Sequence, residues 1–247
     1  MYTRASRHLS YREQNTFGRV LRRIGIFLLL LFLVYSFVTA VLVKSVVQRS
    51  EAMQPTLAAG DRFLIVPLLY GPRIRVFGWT MHGFAEPRRG DLVAVRPGYM
   101  DSSSALRRLA DPFVRFFTFE RRRAADGSDW RSSVQIKRLI GLPGDTIRIE
   151  RFVAYVKPQD ASRFQTEFQL AGFDYELITD NRPIDWQALD PFGEAMDEFR
   201  LADNEYFVLS DNRSEGIDSR HWGPVTFEDL HGRIVLRYWP FSRWESF

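Results

Sequence analysis

Between Arg23 and Lys44 the chain carries no charge: residues 24–43 are twenty uncharged, mostly apolar positions in a row. At 1.5 Å per residue, a helix of that length spans roughly 30 Å, the thickness of a bilayer's hydrocarbon core. The run therefore reads as a transmembrane helix. The competing reading is a cleaved signal peptide, which has an apolar core of only about 7 to 15 residues ending at small residues. Thr39 and Ala40 offer that reading slight support, and the length of the run opposes it. Residues 1–23 hold Arg4, Arg7, Arg12, Arg19, Arg22 and Arg23 against the single acid Glu13. The positive-inside rule then keeps the N-terminus in the cytoplasm and carries residues 44–247 across the cell membrane. Three parts are expected: a basic cytoplasmic stretch (1–23), a single membrane span (24–43) and an extracytoplasmic domain (44–247).

Past the span, segments rich in Val, Ile, Leu and Phe recur behind turn residues, at 62–69, 91–95, 134–140, 146–156, 206–209 and 233–239. Gly60-Asp61, Gly90-Asp91 and Gly144-Asp145 each punctuate the start of one. The expected fold is mainly β, an antiparallel, barrel-like domain that curls to manage its edges. Two insertions interrupt it, at about 99–133 and 158–204. The first sets Phe113, Phe116, Phe117 and Phe119 beside Arg115, Arg121, Arg122 and Arg123. Such a stretch either lies on an anionic membrane surface or packs its phenylalanines on the barrel. The second is acid-rich, and the polar pattern at 194–200 reads as helical.

Composition narrows the chemistry. The absence of cysteine excludes disulfides, thiol catalysis and cysteine-type zinc sites, and the four histidines show no metal-binding spacing. No metal or cofactor is expected. Net charge +4 and pI near 9.5 are compatible with nucleic acid, but a domain outside the cytoplasm argues against that partner. Of 34 basic residues only Lys44, Lys137 and Lys157 are lysine. A lysine here is an exception.

Four stretches carry chemistry when taken together: SEAMQPTL at 50–57 followed by GDRFLIV and Tyr70-Gly71, RRGDLVAV at 88–95, IKRLIGLPGD at 136–145, and SDNRSEGIDSRHWG at 210–223. In this order the set resembles the bacterial type I signal peptidases, membrane-anchored serine proteases of the Ser/Lys dyad class. With the anchor, the match covers somewhat under half the chain. The resemblance implies that Lys137 is the general base, that position 52 is the nucleophile position, and that the Ser50 hydroxyl lines the oxyanion hole. It implies that Met53 lies near the floor of a substrate pocket beside Pro55, and that an extended signal peptide binds near Val134, Ile136 and Lys137. Arg138, Asp211, Asp218 and Arg220 would form a charged framework holding the last motif to the lysine strand; taken singly, each could equally be an ordinary surface ion pair. Gly141, Pro143 and Gly144 read as turn formers. At Gly216 the family commonly carries a serine near the lysine, and this chain departs from it.

The chemistry is sensible without the family. A serine hydroxyl needs an adjacent base, and a lysine serves only where burial and neighbours bring its pKa down from about 10.4 towards neutrality. The larger departure is Ala52, which has no oxygen to form an acyl-enzyme. A serine changed to alanine to hold substrate, a natural non-catalytic relative, and rescue by Ser50 each account for it. The expected partners are signal peptides of exported preproteins and membrane lipid. The expected activity is a serine endopeptidase silenced at its nucleophile, the alternative being a membrane-tethered factor that binds signal or anchor segments without cutting them. Protease added to the outer face is expected to digest the chain beyond Lys44 and spare residues 1–23; the reverse pattern, read by fragment mass, overturns the orientation.

Overall fold

The computed structural model describes residues 11–71, 73–74, 79–80, 83–96, 113–114, 116–118, 134–179 and 195–247. Helix α1 (Tyr11–Phe37) starts well before the uncharged run and passes through a π-helical turn (Val38–Leu42) into the first strand. Within it, the segment Gly18–Phe37 has mean hydropathy 2.1 and no fully buried residue, Phe32, Tyr35 and Ser36 being half-buried. Leu, Ile, Val and Phe side chains stand out all round this helix. That suits a helix solvated by lipid and not one packed on a core, which would confine its apolar side chains to one stripe. Near its end, the Thr39 hydroxyl donates back to the Tyr35 carbonyl at 2.9 Å, the back-bonding that commonly bends a helix.

The rest is built on antiparallel strands. In order they are β1 (Lys44–Val47), β2 (Arg62–Val66), β3 (Arg73–Ile74), β4 (Trp79–Thr80), β5 (Leu92–Val95), β6 (Gln135–Gly141), β7 (Thr146–Glu150), β8 (Val153–Lys157), β9 (Gln165–Thr166), β10 (Met196–Arg200), β11 (Glu205–Leu209), β12 (Val225–Thr226), β13 (Leu230–Trp239) and β14 (Glu245–Ser246). Short helices α2 (Pro67–Tyr70), α3 (Glu167–Ala171) and α4 (Ser219–Trp222) lie between them. The main sheet runs β1-β2-β13-β5-β6-β11-β12, with β14 on β13; a second sheet runs β10-β7-β8-β9. Long β13 holds the main sheet together by pairing with β2 along one end and β5 along the other.

Alternation along the strands sorts side chains into separate cores. On one face of the main sheet, Met53, Leu57, Phe63, Ile65, Leu92, Ala94, Ile136 and Ile234 pack together. Val93, Val95, Leu139, Val208 and Leu230 pack on the other face, with Tyr70. The second sheet closes over Ile140, Ile147, Ile149, Val156, Leu201 and Phe207.

Several local expectations need correction. Residues 146–156 are a hairpin, not one strand, and its two-residue turn places Arg151 and Phe152 at φ 49° and 68°. Both turn residues of a tight hairpin adopt positive φ, so glycine there would have marked it; its absence hid the turn. Residues 62–69 end as a strand at Val66, where Pro67 starts α2. The polar segment expected to be helical is β10, paired with β7. Its register shifts between Met196 and Phe199, and a bulge there spaces two core-facing residues three apart, which imitates a helical pattern. Gly141 is a strand residue and not a turn former. A Cβ on it would lie 2.3 Å from Ile147 Cδ1, 2.8 Å from Leu201 Cδ1 and 3.0 Å from Phe207 Cβ, so any larger residue must displace packed neighbours.

Two phenylalanines of the first insertion pack against α1. Phe113 stacks on Phe32 at 4.5 Å, and Phe116 packs edge-on to Phe32 and against Tyr35, so they lean on α1. Phe119, Arg115 and Arg121 to Arg123 lie outside the described residues. Gly141→Ala is expected to destabilise the domain by about 1–3 kcal/mol through overpacking, measured by chemical denaturation in detergent.

Candidate active site

The loop at 50–57 is anchored by its own apolar residues. Met53 and Leu57 are fully buried in the first core, and the Leu57 N–H donates to the Met53 carbonyl at 2.8 Å, closing a turn. Ala52 is buried, while Ser50 before it and Pro55 between the two anchors are exposed. The Ser50 hydroxyl faces Gln48 Nε2 at 3.5 Å. The last motif clamps this loop from above. Asn212 donates its N–H to the Ala52 carbonyl at 3.0 Å and its side-chain amide to the Glu51 carbonyl at 3.4 Å. Thr56 donates to Asp211 Oδ2 at 2.6 Å.

Lys137 sits mid-way along β6, opposite Val93 of β5, with its side chain buried to 2% exposure. Its Nζ donates to the Ser210 hydroxyl at 2.7 Å and lies 5.7 Å from the Trp222 ring. Burial pulls its pKa down to about 8 against the opposing charges of Asp218 and Asp211, with Arg220 adding to the downward shift. A solvated strand lysine would show none of this.

Arg138, one residue on, points to the opposite face. Its Nε and Nη2 grip both oxygens of Asp211 at 2.8 and 2.6 Å, Nη1 donates to the Gly90 carbonyl, and its guanidinium stacks 3.8 Å above the Tyr175 ring. Both members of the pair are buried, so this is no surface ion pair. Asp218 accepts the Ser210 N–H at 2.9 Å and the Arg220 Nε at 2.8 Å. Burial would push the Asp218 carboxyl up, but the Arg220 charge, side-chain hydrogen bonds from His221 and Arg220, and Lys137 hold it well below the usual carboxylate range. Arg220 also donates to the carbonyls of Arg213 and Gly216, stitching the 213–216 loop in place.

The structure thus gathers Lys137, Arg138, Asp211, Gly216, Asp218 and Arg220 around the segment that clamps Ala52. Ile136 and Met53 meet in the first core, with Val134 packed against it. Pro55 and Ser50 stay at the surface. Four residues escaped sequence reasoning. Ser210 was inside a recognised motif, and its proximity to Lys137 was not readable. Arg213, Glu167 and Tyr175 form a buried network: Arg213 donates to Glu167 Oε2 at 2.5 Å, and the Tyr175 hydroxyl donates to the same oxygen. Burial and the neighbouring Glu167 push the Tyr175 hydroxyl's pKa up. Among the described residues no three His, Asp or Glu side chains converge as a metal site.

The family profile described as "Signal peptidase, peptidase S26" matches residues 20–239. This chain belongs to that family. Among curated relatives, a probable signal peptidase I-2 of Synechocystis sp. is 28% identical over 78% of this chain and 62% of its own length. The signal peptidase I of Leptolyngbya laminosa is 26% identical over 78% of this chain and 68% of its own. The chain therefore spans a little under two thirds of the first relative. A solved signal peptidase I from Enterococcus faecalis V583 covers 60% of this chain and 96% of that one, at 18% identity and TM-score 0.32, too distant to inform the site.

Within this S26 member, the Arg138–Asp211 pair joins β6 to the last motif, and removing one partner strands the other charge without water. Arg138→Met or Asp211→Leu alone is expected to cost about 3–5 kcal/mol, and the double variant clearly less than the sum. A double-mutant cycle by urea denaturation checks both.

Proposed function

We propose that the chain is a membrane-tethered type I signal peptidase site, facing outward, that binds signal peptides of exported preproteins and is halted before covalent chemistry by Ala52. The observation that carries the reading is Lys137, a lysine buried beside an apolar ring with its pKa down at about 8. Among the described residues Lys137 joins no salt bridge, and a buried, unpaired amine with a lowered pKa is the kind of group that marks a functional site.

A peptide has a place to bind. The Leu139 N–H donates to the Asp91 carbonyl and its own carbonyl accepts from Gly90, both on the β5 side. Strand alternation directs Lys137 the same way and turns the Ile136 main chain to the other side. There, β11 begins pairing only at Arg138. The Ile136 main chain is open to an extended peptide by strand addition, and Ile136 and Met53 would floor shallow apolar pockets suited to small side chains. With a hydroxyl at position 52, neutral Lys137 would take its proton, and the Ser50 hydroxyl and the N–H of residue 52 would receive the developing oxyanion. With α1 as the anchor and Phe113 and Phe116 against it, this site would work at the membrane's outer surface.

A second reading rests on Ala52 itself: a tethered factor that captures signal or anchor segments and releases them uncut. Ala52→Ser separates the two. In detergent-solubilised protein it is expected to raise preprotein cleavage by a factor on the order of 10⁶. Because only the neutral amine is a base, kcat/KM should climb with pH through an inflection near 8 and level off above it. Persistent binding without cleavage in that variant would replace the protease with the capture factor. Cleavage by the unaltered chain that Ser50→Ala abolishes would instead assign the attack to Ser50.

A further inference from the structure

We infer that Ser210 is the positioning residue that aims the Lys137 amine, and that Gly216 is kept free of a side chain because the Ser210 hydroxyl occupies its place. The inference rests on the protease reading for its catalytic meaning, though not for its geometry. Two independent observations carry it. The first is the hydrogen bond from Lys137 Nζ to Ser210 Oγ at 2.7 Å, between groups 2% and 0% exposed. The second is steric. A Cβ built on Gly216 would fall 2.1 Å from both Cβ and Oγ of Ser210 and 2.7 Å from the Asn212 carbonyl. Positions 210 and 216 share one small volume beside the lysine, and a side chain at 216 needs that of 210 removed and the Asn212 carbonyl shifted.

That volume explains the departure noted at Gly216. A serine there and a serine at 210 exclude each other, so the hydroxyl facing the lysine has been supplied from six residues earlier in the same loop. The surroundings hold Ser210 firmly. Its N–H is tied to Asp218 Oδ2, and Asp218 is in turn gripped by Arg220, whose guanidinium also holds the Gly216 carbonyl. The charged groups facing the amine are Asp218, Arg220 and Asp211. None of these fixes the amine's direction as a 2.7 Å hydrogen bond does. A neutral amine has two N–H bonds and one lone pair; spending one N–H on Ser210 limits where the lone pair points. Ser210 itself is too deeply buried to attack a peptide, so its role is orientation.

The test uses the full-length chain in detergent. With only Lys44, Lys137 and Lys157 present, the Lys137 side-chain nitrogen can be followed by NMR as pH is varied. Ser210→Ala is expected to lower the titration midpoint, since a hydroxyl accepting from the ammonium favours the charged form. The exchange Ser210→Gly with Gly216→Ser should bring the midpoint back. In an Ala52→Ser background, Ser210→Ala should cut kcat by about 10- to 100-fold with KM nearly unchanged, and the exchange should restore most of it. An unmoved midpoint in Ser210→Ala, or an unchanged kcat in that variant, overturns the inference. Should Ala52→Ser cleave nothing, the protease reading fails while the titration still decides the role of Ser210.

Discussion

The architecture of the site depends on one buried ion pair. Arg138 and Asp211 lie 73 residues apart, yet both are withdrawn from water and meet through two hydrogen bonds. Desolvated charges tolerate little displacement, because separation leaves each without either partner or solvent. Everything bonded to the pair inherits that constraint. Through Thr56 it reaches the loop that carries Ala52, through the Gly90 carbonyl it reaches the turn before β5, and through Tyr175 it reaches the second sheet's insertion. The next link repeats the device, with Arg213 and Glu167 joining the last motif to α3.

Strand alternation then divides the labour between neighbours. Lys137 and Arg138 are consecutive, so they project to opposite faces of β6. One face takes the arginine and the structural pair. The other takes the lysine into a site where desolvation lowers its basicity and Asp218 stops it falling further. A rigid framework and a tuned amine are obtained from adjacent positions on opposite faces of one strand.

Much of this was legible beforehand where the signal is local. The charge-free run marked α1, glycine-aspartate turns marked β2, β5 and β7, and the motif order placed Lys137 against the last motif. Legibility failed where one residue's neighbours misrepresent its environment. The bulge in β10 disguised a strand as a helix, the hairpin at Arg151-Phe152 lacked its customary glycine, and Gly141 passed for a turn former while packing decided its identity. Glu167 lies in the acid-rich insertion, and nothing near it in the chain distinguishes it from Glu176 or Asp174.

The sequence by itself determined that this chain has one segment able to cross a membrane, a β-rich domain beyond it, an isolated lysine in a Ser/Lys motif set, and no oxygen at position 52. The span, the β pattern and the missing oxygen are properties of composition, length and spacing, which survive without a fold; the motif set is read by resemblance to the type I signal peptidases. Only the tertiary structure decided that Lys137 is buried and that Ser210 receives its amine. It alone showed that a side chain on Gly216 would collide with Ser210 and the Asn212 carbonyl, and that Arg213, Glu167 and Tyr175 link the last motif to the second sheet's insertion. The Lys137–Ser210 and Arg213–Glu167 contacts depend on groups 73 and 46 residues apart being brought to hydrogen-bonding distance. The free energy of such contacts is set by desolvation and close packing, which no local window of residues records.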